Sequence, residues 1–378
     1  MTGPLACQRA LFEIPEEVAY LNAAAYVPLP RAVREAGQLG VTTKSFPWQI
    51  APTHGSAIAE RARTAAAALL GTSPDNVAIT GAVSYGIATA ARNLRIAPGS
   101  RVLMIEGEFP SLALVWPQLA EAAGATVEIV PRPTDADWTA ALLEAIERPG
   151  APPVGLAALT PLHWSDGAMI DLSRVVPALH RQGVRVVIDA TQSTGVLELD
   201  LAALKPDFLA FPTYKWVLGP YSLAFLYVAP EHQGGTPLEN HGPARVAGSN
   251  SYIPTASRFD RGERNDPVGL PMAATGLEQV LQWERPAIAA RLRSLTDALA
   301  EAVADLPGLS MLPRERRAPH ILGLRLAGGM KPGLVDRLAA RGIHVADRLG
   351  VMRVSPHVYN HEGDVAAFAA ALRAELAA

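Results

Sequence analysis

The chain has 378 residues, of which 49% are hydrophobic and 18% are charged, and its formal net charge is −3. This composition excludes a collagen-like or highly charged disordered protein and argues against nucleic acid as a main partner. The one cysteine, Cys7, excludes an internal disulfide and a cysteine-rich zinc site. We find no apolar run long enough to span a membrane and no signal-peptide pattern, so we expect a cytoplasmic protein with no membrane partner.

Helix-like and strand-like segments alternate along the first two thirds of the chain, which favours an α/β fold. Several strand-like segments are continuous apolar runs, as is typical of strands buried on both faces of a mostly parallel sheet. The predicted strands are residues 76–80, 101–106, 125–130, 154–160, 184–188, 208–211 and 223–228, and the clearest helices are 57–70 and 84–93.

The pattern changes near Pro267, where two helices precede short strands that alternate with helices. The predicted elements are helices 272–283, 288–306, 333–341 and 363–377, and strands 320–326, 344–346 and 352–355. We therefore predict a large domain over residues 15–265 and a smaller α+β domain over 266–378. The N-terminal segment 1–14 is expected to pack on the smaller domain.

Two polar residues follow neighbouring predicted strands. Asp189 ends the apolar run VRVVI, and Lys215 comes shortly after the next run, DFLAF. Ligands bind at the carboxyl ends of strands in open α/β sheets, so both side chains are expected to face one pocket. A lysine and an aspartate suit pyridoxal phosphate, which needs a lysine for its Schiff base and a carboxylate for its pyridinium nitrogen. An ordinary ion pair is the alternative interpretation.

The other three lysines are poorer candidates for the Schiff base. Lys205 and Lys331 each precede a proline in a predicted turn, and Lys44 lies in a polar segment. The sequence contains no dinucleotide-binding G-x-G pattern, no P-loop and no H-E-x-x-H motif. No motif therefore supports dinucleotide binding, P-loop nucleotide binding or zinc-dependent hydrolysis.

The phosphate of such a cofactor would need a helix N-terminus with close backbone approach. The segment TGAVS reads as strand, glycine and helix start, and Ser84 is expected either to cap the helix or to donate its hydroxyl to a phosphate. Tyr214, beside Lys215, is a second phosphate donor, and Phe109 follows a strand where it could stack on the ring. A capping serine and a core phenylalanine remain the alternatives for Ser84 and Phe109.

These pieces together resemble one family, the class V aminotransferase group of fold-type I pyridoxal-phosphate enzymes. That group includes cysteine desulfurases, kynureninases and isopenicillin-epimerase-like proteins. The resemblance runs from YLN at Tyr20 to the last helix, and its most specific motifs are VIDATQSTG and TYKWVLGP. It implies a homodimer with a mostly parallel seven-stranded type of sheet and an amino acid as substrate. The implied cofactor contacts are Val83 (backbone), Ser84, Phe109, Trp164, Asp189 (ring nitrogen), Gln192 (ring hydroxyl), Tyr214 and Lys215 (Schiff base).

The resemblance also implies substrate contacts. Arg353 in GVMRVSPHVYN corresponds to the arginine that holds the substrate carboxylate, and Asn22 lies in the strand that closes over the substrate. Without the resemblance, a surface arginine and a turn asparagine are the simpler interpretations. Residues 163–167, which include Trp164, take the place of the family's asparagine-containing turn. Three roles are open for Trp164: contact with the cofactor, shaping of the substrate pocket, or packing in the core.

Two departures from the family pattern bear on function. The loop RFDRGERN, expected to reach the partner subunit's phosphate, has Glu263 where the family has threonine, so Arg264 or Asn265 would have to substitute. Cys7 precedes the first family motif, which argues against persulfide-forming desulfuration. We therefore predict an aminotransferase-like enzyme, with a kynureninase-like or C–S β-lyase, or an epimerase, as the alternative. A non-catalytic family member is disfavoured because Asp189, Gln192 and Lys215 are intact.

Overall fold

A computed structural model describes residues 5–377 of the chain. The strands are β1 (Ala19–Tyr20), β2 (Val77–Thr80), β3 (Arg101–Ile105), β4 (Thr126–Val130), β5 (Val154–Leu159), β6 (Arg185–Asp189), β7 (Phe208–Pro212), β8 (Ala224–Val228), β9 (Leu309–Met311), β10 (Leu322–Leu326), β11 (Ile343–His344), β12 (Ala346–Arg348) and β13 (Val351–Val354). The α-helices are α1 (Arg31–Lys44), α2 (His54–Leu70), α3 (Val83–Asn93), α4 (Pro110–Ala113), α5 (Trp116–Ala122), α6 (Trp138–Glu147), α7 (Leu172–His180), α8 (Leu201–Leu204), α9 (Gly269–Trp283), α10 (Arg285–Val303), α11 (Leu334–Ala339) and α12 (Glu362–Ala377).

The main sheet has seven strands in the order β2-β8-β7-β6-β5-β3-β4. The pairs that join β4, β3, β5, β6 and β7 are parallel, and β8 runs antiparallel to both of its neighbours. Buried apolar side chains cover both faces, because alternate residues of each strand point to opposite sides. The predicted α/β fold with a mostly parallel sheet is confirmed.

The chain after residue 300 forms a separate antiparallel sheet in the order β12-β13-β10-β9. The N-terminal segment packs beside it: the Gln8 amide donates to the Val358 carbonyl at 2.8 Å, and the Phe12 ring lies edge-on to the Tyr359 ring. The first four residues of the predicted segment 1–14 lie outside the described residues. Helix α9 packs against α1 and α2, and the domain boundary near 265 stays a prediction.

Helix α1 is an element that the sequence pattern did not indicate. It contains Gly37 and Gly40, and glycine in a helix interior is unfavourable by roughly 1 kcal/mol each. Tertiary packing explains them, since a Cβ at Gly40 would lie 2.0 Å from the Pro267 carbonyl oxygen. Close approach of α1 to the chain before α9 therefore outweighs local helix propensity.

The start of α3 also differs from the prediction. Ala82 is the N-cap residue and Ser84 lies in the first turn, so Ser84 does not cap the helix. None of the helices within residues 5–377 is both long enough and apolar enough to cross a membrane.

Candidate active site

The carboxyl ends of β6 and β7 bring Asp189 and Lys215 to one cavity. Asp189 is the last residue of β6 and pairs in register with Ala210 of β7, and Lys215 follows β7 after a short turn. The cavity has a volume of about 250 Å³. Its lining residues are Gly81, Ala82, Val83, Ser84, Phe109, Ser111, Asp189, Thr191, Pro212, Tyr214, Lys215, Tyr221, Ser222 and Leu223.

Lys215 is buried, with 6% of its surface exposed. Its pKa is lowered to about 7, mainly by burial and also by the positive charges of Arg353 and Arg348, while the charge of Asp189 acts in the opposite direction. Its Nζ lies 5.8 Å from the centre of the Phe109 ring. An amine with this pKa is largely neutral just above pH 7, which is the protonation state that a nucleophile or a general base needs.

Asp189 is a buried carboxylate that has few partners of its own. Its Oδ1 accepts the Thr191 amide at 2.8 Å. Burial raises its pKa, while hydrogen bonds from Thr191 and the charge of Lys215 act in the opposite direction. A cationic group placed against this carboxylate would therefore be strongly favoured.

The opposite end of the cavity is the N-terminus of α3. The N-cap, Ala82, has no side-chain acceptor, so the first-turn amides of the helix are not capped from within the helix. A Cβ at Gly81 would meet only the Arg261 side chain, at 4.0 Å, so the backbone there is open to close approach. Tyr214 faces the same cavity, and burial raises its pKa to about 12, so its phenol keeps its proton.

Arg353 lies outside the lining of this cavity but close to Lys215. Its guanidinium is 2% exposed, one NH₂ group donates to the Trp164 carbonyl at 2.9 Å, and its buried Nε has no partner. Burial and the charge of Arg348 lower its pKa to about 9, so it remains a cation at neutral pH. Asn22, which bridges to Ser355 two residues after Arg353, also has a buried Oδ1 without a partner.

Trp164 connects Phe109 with Arg353. Its indole nitrogen donates to the Gly107 carbonyl at 2.8 Å, and its ring meets Phe109 edge-on with centroids 5.4 Å apart. Because its carbonyl also accepts from Arg353, Trp164 orients both neighbours.

Gln192 is not brought into the cavity. Its amide nitrogen donates to the Ala24 carbonyl at 3.1 Å, and its amide oxygen accepts the Trp216 indole at 2.8 Å. Both ends of the side chain therefore have protein partners, and its predicted contact with a ring hydroxyl stays a prediction.

Two residues near Lys215 were missed by the sequence analysis. Glu108, directly before Phe109, has a buried Oε2 without a partner, and burial raises its pKa to about 8. Arg348 was indistinguishable among many arginines, because its relation to Arg353 arises only when β12 pairs with β13. Glu108 had a weak signal, since it directly precedes the candidate stacking residue Phe109.

The loop 261–265 contacts other segments of its own chain. Arg264 forms an ion pair with Asp260, and Arg261 donates to the Ser222 carbonyl at 2.8 Å. Glu263 and Asn265 are exposed, so a contact to a second subunit stays a prediction.

One other cleft and one cluster of possible metal ligands contain charged side chains that are already paired. A larger open cleft of about 880 Å³ is lined by arginines, but Arg316 is paired with Asp137, and Arg317 with Asp297, each at 2.7 Å. Asp207, Glu231 and His232 lie close enough to hold a metal ion. However, Asp207 already accepts from the Val186 amide at 2.7 Å and pairs with the His232 ring at 2.5 Å. Of these three places, the Lys215 cavity is the one that brings a buried lysine and a buried carboxylate together.

Comparison with known proteins places this geometry in a family. The model of the aminotransferase class-V family matches residues 20–368. An isopenicillin N epimerase of Streptomyces clavuligerus is 25% identical, covering 94% of each chain, and a kynureninase of Deinococcus radiodurans is 29% identical, covering 68% of this chain and 64% of its own. A cysteine desulfurase of Escherichia coli has the same fold, with a TM-score of 0.85 at 23% identity, covering 98% of this chain and 97% of its own. The chain therefore belongs to the class V aminotransferase family of pyridoxal-phosphate-dependent enzymes that act on amino acids, as its motifs predicted.

Proposed function

We propose that this enzyme holds pyridoxal phosphate on Lys215 and transfers the amino group of an α-amino acid. The observation that carries the proposal is a buried lysine whose pKa is lowered to about 7, placed between a strand-end carboxylate and an uncapped helix N-terminus. These are the three groups that the aldehyde, ring nitrogen and phosphate of this cofactor need.

The residues around the cavity fit the cofactor. The Val83 and Ser84 amides and the Ser84 hydroxyl would hold the phosphate, with the protonated Tyr214 phenol as a further donor. Asp189 would hold a proton on the pyridine nitrogen, because its buried carboxylate favours a cationic partner. Phe109, with Trp164 against its ring edge, would cover one face of the pyridine ring.

When it is bound, the cofactor supplies an electrophilic carbon and an electron sink. The side chains of the protein then bind the substrate and transfer protons. The Arg353 fork binds the α-carboxylate, and Lys215 Nζ, neutral near pH 7, accepts the α-proton as general base. Phe109 and Trp164 exclude water from the side of the pocket that they cover.

The fate of that proton separates the candidate reactions. In transamination, the protonated Lys215 would act a second time, as the general acid that donates the proton. In a C–S β-lyase reaction a β-substituent would leave instead, and in a kynureninase-like reaction water would cleave the Cβ–Cγ bond of the side chain. In epimerisation the proton would return to the opposite face of the α-carbon. The similarity to a kynureninase supports the lyase as the second candidate. Cys7 is exposed, its thiol donates to the Tyr359 carbonyl, and it is not among the residues that line the Lys215 cavity, which disfavours a persulfide-forming route.

We further propose a cytoplasmic homodimer. Helix α1 and the turn after it expose Leu39, Val41, Phe46 and Trp48, and Tyr26 and Tyr221 are more than half exposed. Apolar side chains grouped in this way are typical of protein interfaces. The absence of a membrane-spanning pattern and of paired cysteines favours the cytoplasm.

The test is the visible absorbance of the purified protein before and after excess L-amino acid without a keto acid. Wild-type protein should carry the cofactor covalently after borohydride reduction, and K215A should not. Stoichiometric conversion to the amine form of the cofactor would establish transamination. Return of the original spectrum while a cleaved side-chain fragment accumulates would establish the lyase, with keto acid and ammonia as the other products of a β-lyase and alanine as the other product of a kynureninase-like enzyme. A wild-type protein that stays colourless after reconstitution would contradict both.

A further inference from the structure

The hairpin of β12 and β13 presents two arginines on one face. Arg348 pairs with Val351, and Ala346 pairs with Arg353. Side chains alternate along a strand, so Arg348 and Arg353 project from the same face as diagonal neighbours, roughly 7–8 Å apart. The connecting residues Leu349 and Gly350 both have positive φ, 54° and 74°, which suits the tight two-residue turn that fixes this register.

Neither of these arginines is neutralised by a carboxylate. Arg353 donates to the Trp164 carbonyl, and Arg348 donates to the Asp347 carbonyl at 2.8 Å. Across residues 5–377, no ion pair joins either guanidinium to an aspartate or glutamate. Asp166, a buried carboxylate two residues after Trp164, is already paired with Arg132 and with Arg325.

Both arginines lie close enough to influence Lys215. Their charges each lower the pKa of the lysine, and the charge of Arg348 also lowers the pKa of Arg353. The hairpin tip reaches the segment before Phe109, since the Leu349 side chain lies 3.3 Å from the position a Cβ would take on Gly107. Three basic groups therefore share the space in which the substrate would bind.

One α-carboxylate neutralises only one of these two guanidinium groups. Arg353 is the buried member and lies next to Asn22, so it suits the α-carboxylate, as the proposed function requires. Arg348 is partly exposed at the hairpin tip, where it would meet the outer part of the same substrate. A planar guanidinium group with free N–H donors binds oxyanions in preference to neutral groups.

We propose that Arg348 binds a second anionic group of the substrate, and that the enzyme prefers amino acids whose side chain carries a carboxylate or a related oxyanion. The proposal rests on the proposed function, because it assigns the α-carboxylate to Arg353. It makes Arg348 a specificity-determining residue.

The test compares acid and amide pairs on the cofactor-loaded enzyme. L-aspartate against L-asparagine, and L-glutamate against L-glutamine, are titrated by the change in cofactor absorbance and, independently, by calorimetry. In at least one pair the acid should bind roughly ten- to hundred-fold more tightly, as a charge-assisted hydrogen bond implies. R348Q should remove that preference by weakening only the acid, and R348K should retain part of it.

A matched control is R373Q, since Arg373 of α12 is paired with the exposed Asp305 and does not line the Lys215 cavity, so this variant should leave the preference unchanged. Melting temperatures of all variants would show that they are folded. Equal affinity for acid and amide in wild type, or an equal loss for both in R348Q, would overturn the assignment while leaving the proposed function intact. A wild-type enzyme whose spectrum does not respond to any amino acid would instead overturn the proposed function, and this inference with it.

Discussion

Burial and neighbouring charge set the protonation state of Lys215. An ammonium that loses its hydration and faces Arg353 and Arg348 is destabilised relative to the neutral amine. Asp189 opposes this effect only in part. The same side chain on the surface would be charged at neutral pH and a poor nucleophile.

We predict that cofactor-free protein reacts with pyridoxal phosphate at a rate that rises with pH, with a midpoint about 7. Replacing Arg353 with glutamine removes a positive charge, which favours the ammonium, so the midpoint should move upward. R353K keeps the charge and should keep the midpoint near that of wild type. Stopped-flow absorbance measures these rates, and a wild-type midpoint near that of an ordinary lysine would contradict the argument.

Glu108 gives a prediction about stability. Burial raises its pKa from 4.5 to about 8, so between these values the folded state holds a proton that the unfolded state has released. The free energy of unfolding of wild type therefore loses a contribution from this residue as pH rises from about 5 to about 8. E108Q avoids this loss, and its stability relative to wild type should increase across the window.

Urea unfolding of cofactor-free protein at several pH values measures the difference between E108Q and wild type. E144Q, at an exposed position on α6, is the matched control and should show no such trend. A difference between E108Q and wild type that does not change with pH would show that the Glu108 carboxyl titrates normally.

At the scale of elements, one buried ion pair joins α2, β2 and the loop after Phe259. Arg63 is 1% exposed and binds both carboxylate oxygens of Asp260, at 3.1 and 2.8 Å. Asp260 also accepts the Ile79 amide at 2.8 Å. Because Arg261 follows directly and reaches toward Gly81, this pair positions the chain beside the end of the cavity that the N-terminus of α3 forms.

We predict that D260A lowers the free energy of unfolding by about 3 kcal/mol, because the buried Arg63 guanidinium loses its buried carboxylate and keeps only the exposed Glu60 as an ionic partner. The control is E278A, which breaks the exposed pair between Arg61 and Glu278 and should cost less than about 1 kcal/mol. Both are measured by urea unfolding. Similar losses in the two variants would show that burial does not determine the cost.

For the whole molecule, the exposed apolar side chains of α1 and its following turn favour a homodimer. Val41 is 58% exposed and Trp48 is 76% exposed, which is unusual for such side chains on a monomer surface. We predict a dimer by sedimentation velocity, and dissociation when Val41 and Trp48 are both changed to glutamate. Ile129, 56% exposed on β4, is the control position, where I129E should leave the dimer intact. A wild-type monomer would contradict the proposed assembly.

The local pattern was enough to predict the seven strands of the main sheet and the family. The motifs that contain Asp189 and Lys215 each lie at the end of one apolar run, and strand ends of a parallel sheet meet at one edge, so short segments carried the necessary information. Helix α1 was missed because the packing of Gly40 against Pro267 is a long-range contact that local propensity opposes.

The sequence by itself determined the order of the main-sheet strands and the family, and it singled out Lys215 as the candidate lysine, because each depends on residues that are close together in the chain. Only the tertiary structure decided which polar groups have partners. The Gln192 side chain is hydrogen-bonded to Trp216 and Ala24, whereas Glu108, Arg348 and Arg353 form no ion pair within residues 5–377. Whether a polar side chain finds a partner depends on burial and on the strand register between distant segments. Neither can be inferred from a local sequence pattern.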